Sequence, residues 1–380
     1  MPTLFEPTAI GRLNLKNRLV RSATYDGMAL KSGLVSEAQI GLYRELARGG
    51  TGLIVSGIAS VHRSGRISAF QNAIDTDVTI AGLRQLVDVV HDHGAKIAVQ
   101  LFHGGRECGS YQKAKKAVAL APSVVTDDPY CEQDYRQISE EQIGEVIGAF
   151  GRAAARAKIA GFDAVQVHGA HAYLPSQFLS PFTNRREDAW GGTFEKRLAF
   201  LHGVYRAIRT AVGDGYPVLI KLGVADGFAG GLEFAEGLCA AKACADWGFD
   251  AIEVSQGLRG RRYGQTEFRT GIQTLAKEAY FGQWCRQVKA AVAVPVMMVG
   301  GLRTPQLIDQ ILQEGQADFV SLCRPLIREP DLPARWQAGD LKVPACISCN
   351  RCFEALLKGI PLHCVVAVQN QTRRMDDPIR

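Results

Sequence analysis

Eight short apolar runs, most of them followed by a longer stretch of helical periodicity, are the feature that most constrains what this sequence can fold into. The runs are RLVRSA (Arg18–Ala23), GLIVSGIASV (Gly52–Val61), KIAVQLFH (Lys96–His103), AVQVHG (Ala164–Gly169), PVLIKLG (Pro217–Gly223), AIEVSQG (Ala251–Gly257), PVMMVGG (Pro295–Gly301) and DFVSLC (Asp318–Cys323). They are nearly continuous in apolar residues rather than alternating, as strands covered on both faces of a parallel sheet must be. The intervening segments carry helix start and stop signals. Ser139–Gly161 opens with a capping-box pattern, Ser139 to Gln142, and closes on glycine. Pro305–Gly315 opens on proline and ends on glycine. Thr79–Gly94, Thr193–Gly213 and Gly231–Gly248 have the same form. This alternation predicts an α/β fold of the (β/α)8 TIM-barrel type. A doubly wound sheet would want a G-x-G-x-x-G turn after an early strand, and none is present; HGGRECG after the third run has the wrong spacing. The segment Arg106–Ser139 has no clear period and is expected as an excursion on the strand-end face, a hairpin or a lid.

Composition narrows the function classes. The net charge of +6 is modest, and the densest basic stretches are RGRR (Arg259–Arg262) and TRRM (Thr372–Met375). Such short basic loops are ordinarily solvated faces, so nucleic acid is not expected as a partner. No apolar run approaches the roughly 20 residues that span a bilayer, and the N-terminus has no signal-peptide pattern. A cytoplasmic protein is expected, with its ten cysteines as free thiols or metal ligands rather than disulfides.

In a barrel, chemistry gathers at the C-terminal ends of the strands. Gln100 and His103 end the third run, and His168, His171 and Tyr173 follow the fourth. Lys221 ends the fifth, Ser255 the sixth, Gly300 and Gly301 the seventh, and Arg324 follows the eighth. VGGLRTP offers bare backbone N–H groups and then a helix start, a setting for phosphate, with Arg324 beside it. Lys221, with apolar neighbours, either snorkels outward or serves a buried anion; a strand end favours the anion. The histidine pair has three readings: a metal site, ordinary core histidines, or two N–H donors to a substrate oxygen with Tyr173 as proton donor. The third uses all three residues. A metal-dependent lyase or isomerase on His168 and His171 is the alternative.

The motifs LKNRLVRSA, AVQLFHGGR, VHGAHAYLPSQFLSPFTNRREDAWGG, EAYF, VGGLRTP and ADFVSLCRPLIREPDL occur in this order. Together they resemble the signatures of the Old Yellow Enzyme family of FMN-dependent oxidoreductases, nearly end to end. The resemblance implies FMN across the strand ends of the barrel. Its phosphate would lie on Gly300, Gly301, Cys323 and Arg324. Gln100 would bond the pyrimidine edge, Lys221 would face N1 and O2, and backbone from Ala23, Thr24 and Gly57 would line the ring. His168 and His171 would grip a carbonyl or nitro oxygen, hydride would pass from flavin N5 to the β-carbon, and Tyr173 would protonate the α-carbon. NAD(P)H would reduce the flavin first, in a ping-pong cycle. Many relatives have Pro-Met and then Cys or Thr where this chain has Ala23-Thr24-Tyr25, and often Gly where it has Cys323.

Cys346, Cys349, Cys352 and Cys364 form a C-x2-C-x2-C-x11-C run. Four-cysteine sets serve an iron–sulfur cluster or structural zinc. The run is similar to the cluster-binding segment of the dienoyl-CoA reductase branch of the same family, which spaces its second and third cysteines by three residues. That branch carries further FAD and NAD(P)H domains, which are not seen before Arg380. The expected organisation is an FMN barrel over residues 1–340 and a cysteine-rich segment over 341–380 packed on it. The expected activity is reduction of small α,β-unsaturated substrates by NAD(P)H; the alternative is an iron–sulfur/FMN electron-transfer subunit fed by a partner protein. A homo-oligomer is expected. Cys108, Cys131, Cys239, Cys244 and Cys285 are expected as plain thiols, with Cys239 and Cys244 in a helix core.

Overall fold

Strands β1 (Leu19–Arg21) and β8 (Phe319–Leu322) lie side by side, and this pairing closes the sheet on itself. Between them, in order round the wall, stand β2 (Leu53–Ser60), β3 (Lys96–Phe102), β4 (Ala164–Gly169), β5 (Val218–Gly223), β6 (Ala251–Ser255) and β7 (Val296–Met298), all parallel. The result is the (β/α)8 barrel read from the sequence, and closure excludes the open doubly wound sheet. This is a computed structural model, and it describes residues 3–369 except Asp127 and Tyr263. The basic run Thr372–Met375 and the end of the 341–380 segment lie outside the described residues.

Helices α1 (Glu37–Arg48), α2 (Ile80–His91), α3 (Glu140–Ala160), α4 (Phe194–Val212), α5 (Phe234–Trp247), α6 (Gly282–Ala291) and α7 (Pro305–Gln313) surround the wall. The capping box at Ser139 forms as expected, and α3 ends at Gly161 in the left-handed conformation with φ +97°. A second capping box, Ser36 with Gln39, starts α1. At Gly151 a Cβ would stand 2.7 Å from the Ala207 carbonyl oxygen, so only glycine lets α3 and α4 approach this closely.

The inside of the barrel is layered, because residues two apart on a strand share a face. The lowest layer is apolar: Val20, Leu53, Ala98, Ala164, Leu219 and Ala251 form one buried cluster. A hairpin of Thr8–Ile10 and Leu13–Leu15, not foreseen from sequence, plugs it from below with Ile10, Leu13 and Leu15. Two residues further along the same strands come Ser22, Gln100, Gln166, Lys221 and Glu253, all buried and all polar.

The excursion after β3 is neither hairpin nor simple lid. It contains a short helix, Gly109–Ala114, and two short strands, Ala119–Ala121 and Tyr135–Gln137, that pair in parallel. A buried ion pair of Arg106 with Asp128 pins it down. The C-terminal residues cross the strand-end face. Leu362 N–H donates to the Asp26 carbonyl at 2.8 Å, and Gly271 N–H to that of Ser348 at 3.1 Å. No helix among the described residues is long and apolar enough to cross a membrane.

Candidate active site

The polar layer is one connected network. Lys221 Nζ donates to Ser22 Oγ at 2.8 Å and lies 3.3 Å from Glu253 Oε2. Ser22 Oγ donates to Glu253 Oε1 at 2.8 Å. Gln166 Nε2 donates to Glu253 Oε2 at 3.1 Å, and Gln100 Nε2 donates to Gln166 Oε1 at 2.8 Å. Lys221 therefore serves a buried anion, as its setting suggested, and that anion is the Glu253 carboxylate. Glu253, Gln166 and Ser22 were missed in the sequence. The available signal was their register: each is two residues beyond an apolar member of the lower layer.

One step higher, β4 ends and the chain turns sharply. His171 and Ala172 adopt positive φ, +58° and +64°, a strained choice for residues with a Cβ. The turn is held by His171 N–H on the Gln256 carbonyl at 3.0 Å and Ala172 N–H on that of Gly257 at 3.1 Å. This brings three rings together: His168 meets His171 edge-on at 4.9 Å and Tyr173 at 4.8 Å between centroids. Phe102 closes the group, 4.4 Å from Tyr173. Burial, reinforced by the Lys221 and Arg259 charges, holds both imidazoles well below their ordinary pKa, so both are neutral. His168 Nδ1 accepts from Ala170 N–H at 3.4 Å, which leaves Nε2 as the proton-bearing nitrogen. His171 Nε2 bonds Ser255 Oγ at 2.8 Å. His103 does not join the site; it is buried against Ser64 Oγ at 3.0 Å and the Gly105 N–H at 3.1 Å.

Burial raises the Tyr173 phenol above its usual range, and Arg259 opposes the shift. Arg259 was read as part of a solvated basic loop, and the structure corrects that. Its guanidinium lies over the Tyr173 ring, clamped by Glu267 Oε1 at 2.6 Å and Glu107 Oε2 at 3.4 Å. Cys239 is also corrected: it is exposed on α5, while Cys244 is buried as expected.

At the ends of β7 and β8, Gly300 and Gly301 have φ of +130° and +75°. A Cβ on Gly301 would stand 2.9 Å from the Tyr280 ring, so the turn requires glycine. Arg324 Nη1 donates to the Arg269 carbonyl at 2.7 Å and also to Asn350. Arg269, unforeseen, stacks its guanidinium 4.5 Å from the Tyr280 ring centre, and its buried Nε has no partner among the described residues. Burial opposes ionisation of Cys323, but Arg21, the Thr24 hydroxyl and Arg324 outweigh it and hold the thiol below its usual range. Its sulfur is 3.1 Å from Thr24 Oγ1. Gly57 packs against the Thr24 carbonyl, where a Cβ would stand at 2.8 Å, and Ala23 follows the same strand end. Tyr25 donates its hydroxyl to Ser68 Oγ at 2.8 Å.

Cys346, Cys349, Cys352 and Cys364 line a single small cavity together with Arg324 and Asn350. Burial pushes the Cys346 thiol up and the Cys352 thiol up to about 11. Among the described residues no group of three or more His, Cys, Asp or Glu side chains is gathered closely enough to hold a single metal ion.

Residues 3–342 match the profile of the NADH:flavin oxidoreductase / NADH oxidase family. The chain belongs to that family. A metal reductase of Desulforamulus reducens is 36% identical over 370 residues, covering 96% of this chain and 53% of that protein. A 4,4'-dithiodibutanoate disulfide reductase of Rhodococcus erythropolis is 32% identical over 391 residues, covering 96% of this chain and 95% of its own length. Among solved structures, a 2-naphthoyl-CoA reductase in complex with 2-naphthoyl-CoA superposes with a TM-score of 0.88 at 27% identity, over 95% of this chain and 56% of that one. This chain thus spans about half the length of the metal reductase. The residues of this family member suit FMN. The glycine cradle of Gly300 and Gly301, closed by the Tyr280 ring, lies on the loop after β7, where barrels take phosphate; Arg269, on the connection after β6, stacks on that same ring, and its buried Nε has no partner among the described residues. Lys221 and Gln100 are a buried cation and a buried amide, the two kinds of group that a flavin edge would take.

Proposed function

We propose that this chain is an FMN-dependent reductase of activated C=C bonds in enones, nitroalkenes or α,β-unsaturated acyl compounds, with NADH or NADPH as reductant. The observation that carries this reading is the convergence of two neutral imidazoles and one half-buried phenol at the end of β4, beside Lys221 in register. Bound FMN supplies the hydride. Gln100 and Lys221 would hold its ring edge, backbone at Ala23, Thr24 and Gly57 its face, and Gly300, Gly301, Cys323, Arg324 and Arg269 its phosphate. His168 and His171 act as N–H donors to the substrate oxygen and draw electron density from the alkene. Fixed, partly desolvated donors of this kind stabilise developing negative charge without reorganising. Tyr173 delivers a proton to the α-carbon, and Arg259 eases the charge left on the phenol. Residues 1–340 form the flavin barrel and 341–380 the cysteine segment of a cytoplasmic homo-oligomer.

The test is a pair of half-reactions. Purified yellow protein is bleached anaerobically by NADPH or NADH, and cyclohexenone then restores the colour. Reduced protein that no enone, nitroalkene or enoyl compound reoxidises refutes the reading.

A second reading, an iron–sulfur/FMN electron-transfer subunit served by a partner protein, has its own support in the four cysteines around one cavity. Iron and acid-labile sulfide in the purified protein, with bleaching by a chemical reductant but not by NAD(P)H, would favour this reading over the first.

A further inference from the structure

We infer that Glu253 is the counter-charge that sets the reduction potential of the flavin by restraining Lys221. The inference rests on the reading that FMN lies against Lys221. Glu253 is fully buried on β6, directly opposite Lys221 in the strand register. All its hydrogen-bonding neighbours face inward. Oε1 takes the Ser22 hydroxyl at 2.8 Å, and Oε2 takes the Gln166 amide at 3.1 Å and lies 3.3 Å from Lys221 Nζ. Ser22 Oγ is shared, since it also accepts from Lys221 at 2.8 Å. The chain of contacts ends at Gln100, the second group assigned to the flavin edge.

Stability does not account for this carboxylate. A buried ion pair is often no better than apolar residues of the same volume, and the layer below shows that this barrel fills itself with Val, Leu and Ala. What the carboxylate changes is the field that Lys221 presents upward. A lone ammonium in a poorly screened site would strongly favour the negatively charged reduced ring. A carboxylate 3.3 Å from it, in the same layer, turns the monopole into a short dipole, whose attraction for charge falls off faster. Glu253 thus keeps the flavin from being reduced too easily, so that it still surrenders hydride to a substrate. It acts through Lys221 and is a positioning and tuning residue.

Glu253→Gln keeps the shape and removes the charge; its remaining oxygen can still accept from Gln166 and Lys221, while its new NH2 must donate to Ser22 Oγ, which in the parent is the donor. The experiment measures the midpoint potential of the bound flavin with a reference dye, and separately its affinity for sulfite, in wild type, Glu253→Gln, Glu253→Asp and Lys221→Met. Expected for Glu253→Gln is a shift of the two-electron equilibrium toward reduced flavin by about tenfold or more, which is about 30 mV, with sulfite bound at least about tenfold tighter. Lys221→Met should move both in the opposite direction. Glu253→Asp, which retains the charge but withdraws it, should fall between wild type and Glu253→Gln, and it serves if the glutamine variant fails to fold. A yellow wild type whose Glu253 variants keep the parent potential and sulfite affinity within about twofold overturns the role of Glu253 alone. A colourless wild type that takes up no added FMN overturns the flavin reading with it.

Discussion

The guanidinium carbon of Arg259 stands 5.6 Å from the centre of the Tyr173 ring, and two carboxylates, Glu267 and Glu107, hold it there. The arrangement sets two opposing effects on the half-buried phenol. Burial alone would push its proton affinity up; the cation pulls it back. Arg259→Met should therefore raise the tyrosine's pKa and slow the alkene half-reaction by about tenfold, with flavin content unchanged. The shift is read from the pH profile of that half-reaction, whose alkaline limb should move to higher pH. An unmoved limb would leave Arg259 with a packing role only.

Tyr173→Phe removes the proton and keeps the ring packed on Phe102 and His168. Rapid mixing should show the alkene half-reaction slowed by about 10²–10⁴-fold, the usual worth of a positioned general acid. Reduction of the flavin by NAD(P)H should stay within about twofold, because it needs no proton from this phenol. Equal loss in both half-reactions contradicts the assignment.

His168→Ala or His171→Ala should weaken enone binding by roughly 1–3 kcal/mol, the cost of leaving a buried acceptor without its donor. Flavin affinity, followed by fluorescence quenching, should change far less. If flavin is lost in step with the enone, the imidazoles belong to the cofactor site.

The depressed pKa of both imidazoles also has a sign in stability. In the unfolded chain they take up protons as pH falls through about 6.5; in the fold they do not. They contribute stability that is present above that pH and lost as it falls. Urea midpoints at pH 7.5 and 5.5 should drop more steeply for wild type than for a His168→Asn, His171→Asn double variant. Asp26, Glu107 and Asp226, whose pKa values desolvation raises, are common to both proteins and cancel. Parallel slopes would mean that the rings protonate normally in the folded protein.

Gly301→Ala forces a Cβ to within 2.9 Å of Tyr280 at φ +75°. Either the ring or the loop must give, and both form the cradle assigned to the phosphate. FMN retention should fall by about tenfold or more, while riboflavin, which lacks the phosphate, should lose less. Equal losses for the two ligands would move the phosphate elsewhere.

Much of this was legible in the sequence because it depends on local periodicity. The eight apolar runs became the eight strands of the wall, and Ser139 and Gly161 bound α3 as their chemistry demands. His168, His171 and Tyr173 were legible because a strand that breaks into three polar rings is costly without a use. Arg259 was not, since nothing local distinguishes an arginine on a solvated loop from one folded back over a ring; the two acids that hold it lie on different segments, one of them 152 positions away. Glu253 is an intermediate case. A single carboxylate inside AIEVS is visible, but its partner on the neighbouring strand appears only once the register is known. The Thr8–Leu15 hairpin escaped because its apolar residues matter only against the bottom of a closed barrel.

The seam between β1 and β8 sets a timetable for assembly. Arg18 Nη1 reaches the Asp318 carbonyl across 300 positions, and Ser22 N–H reaches that of Leu322. A growing chain must therefore carry two raw sheet edges until its last strand leaves the ribosome, on the order of 15–60 s at ordinary elongation rates. Ser22 is made first, and Lys221 and Glu253, made later, still precede the closing strand that completes the wall around them. The half-built barrel, with its two unpaired strand edges, is therefore more open to edge-to-edge aggregation than the closed one.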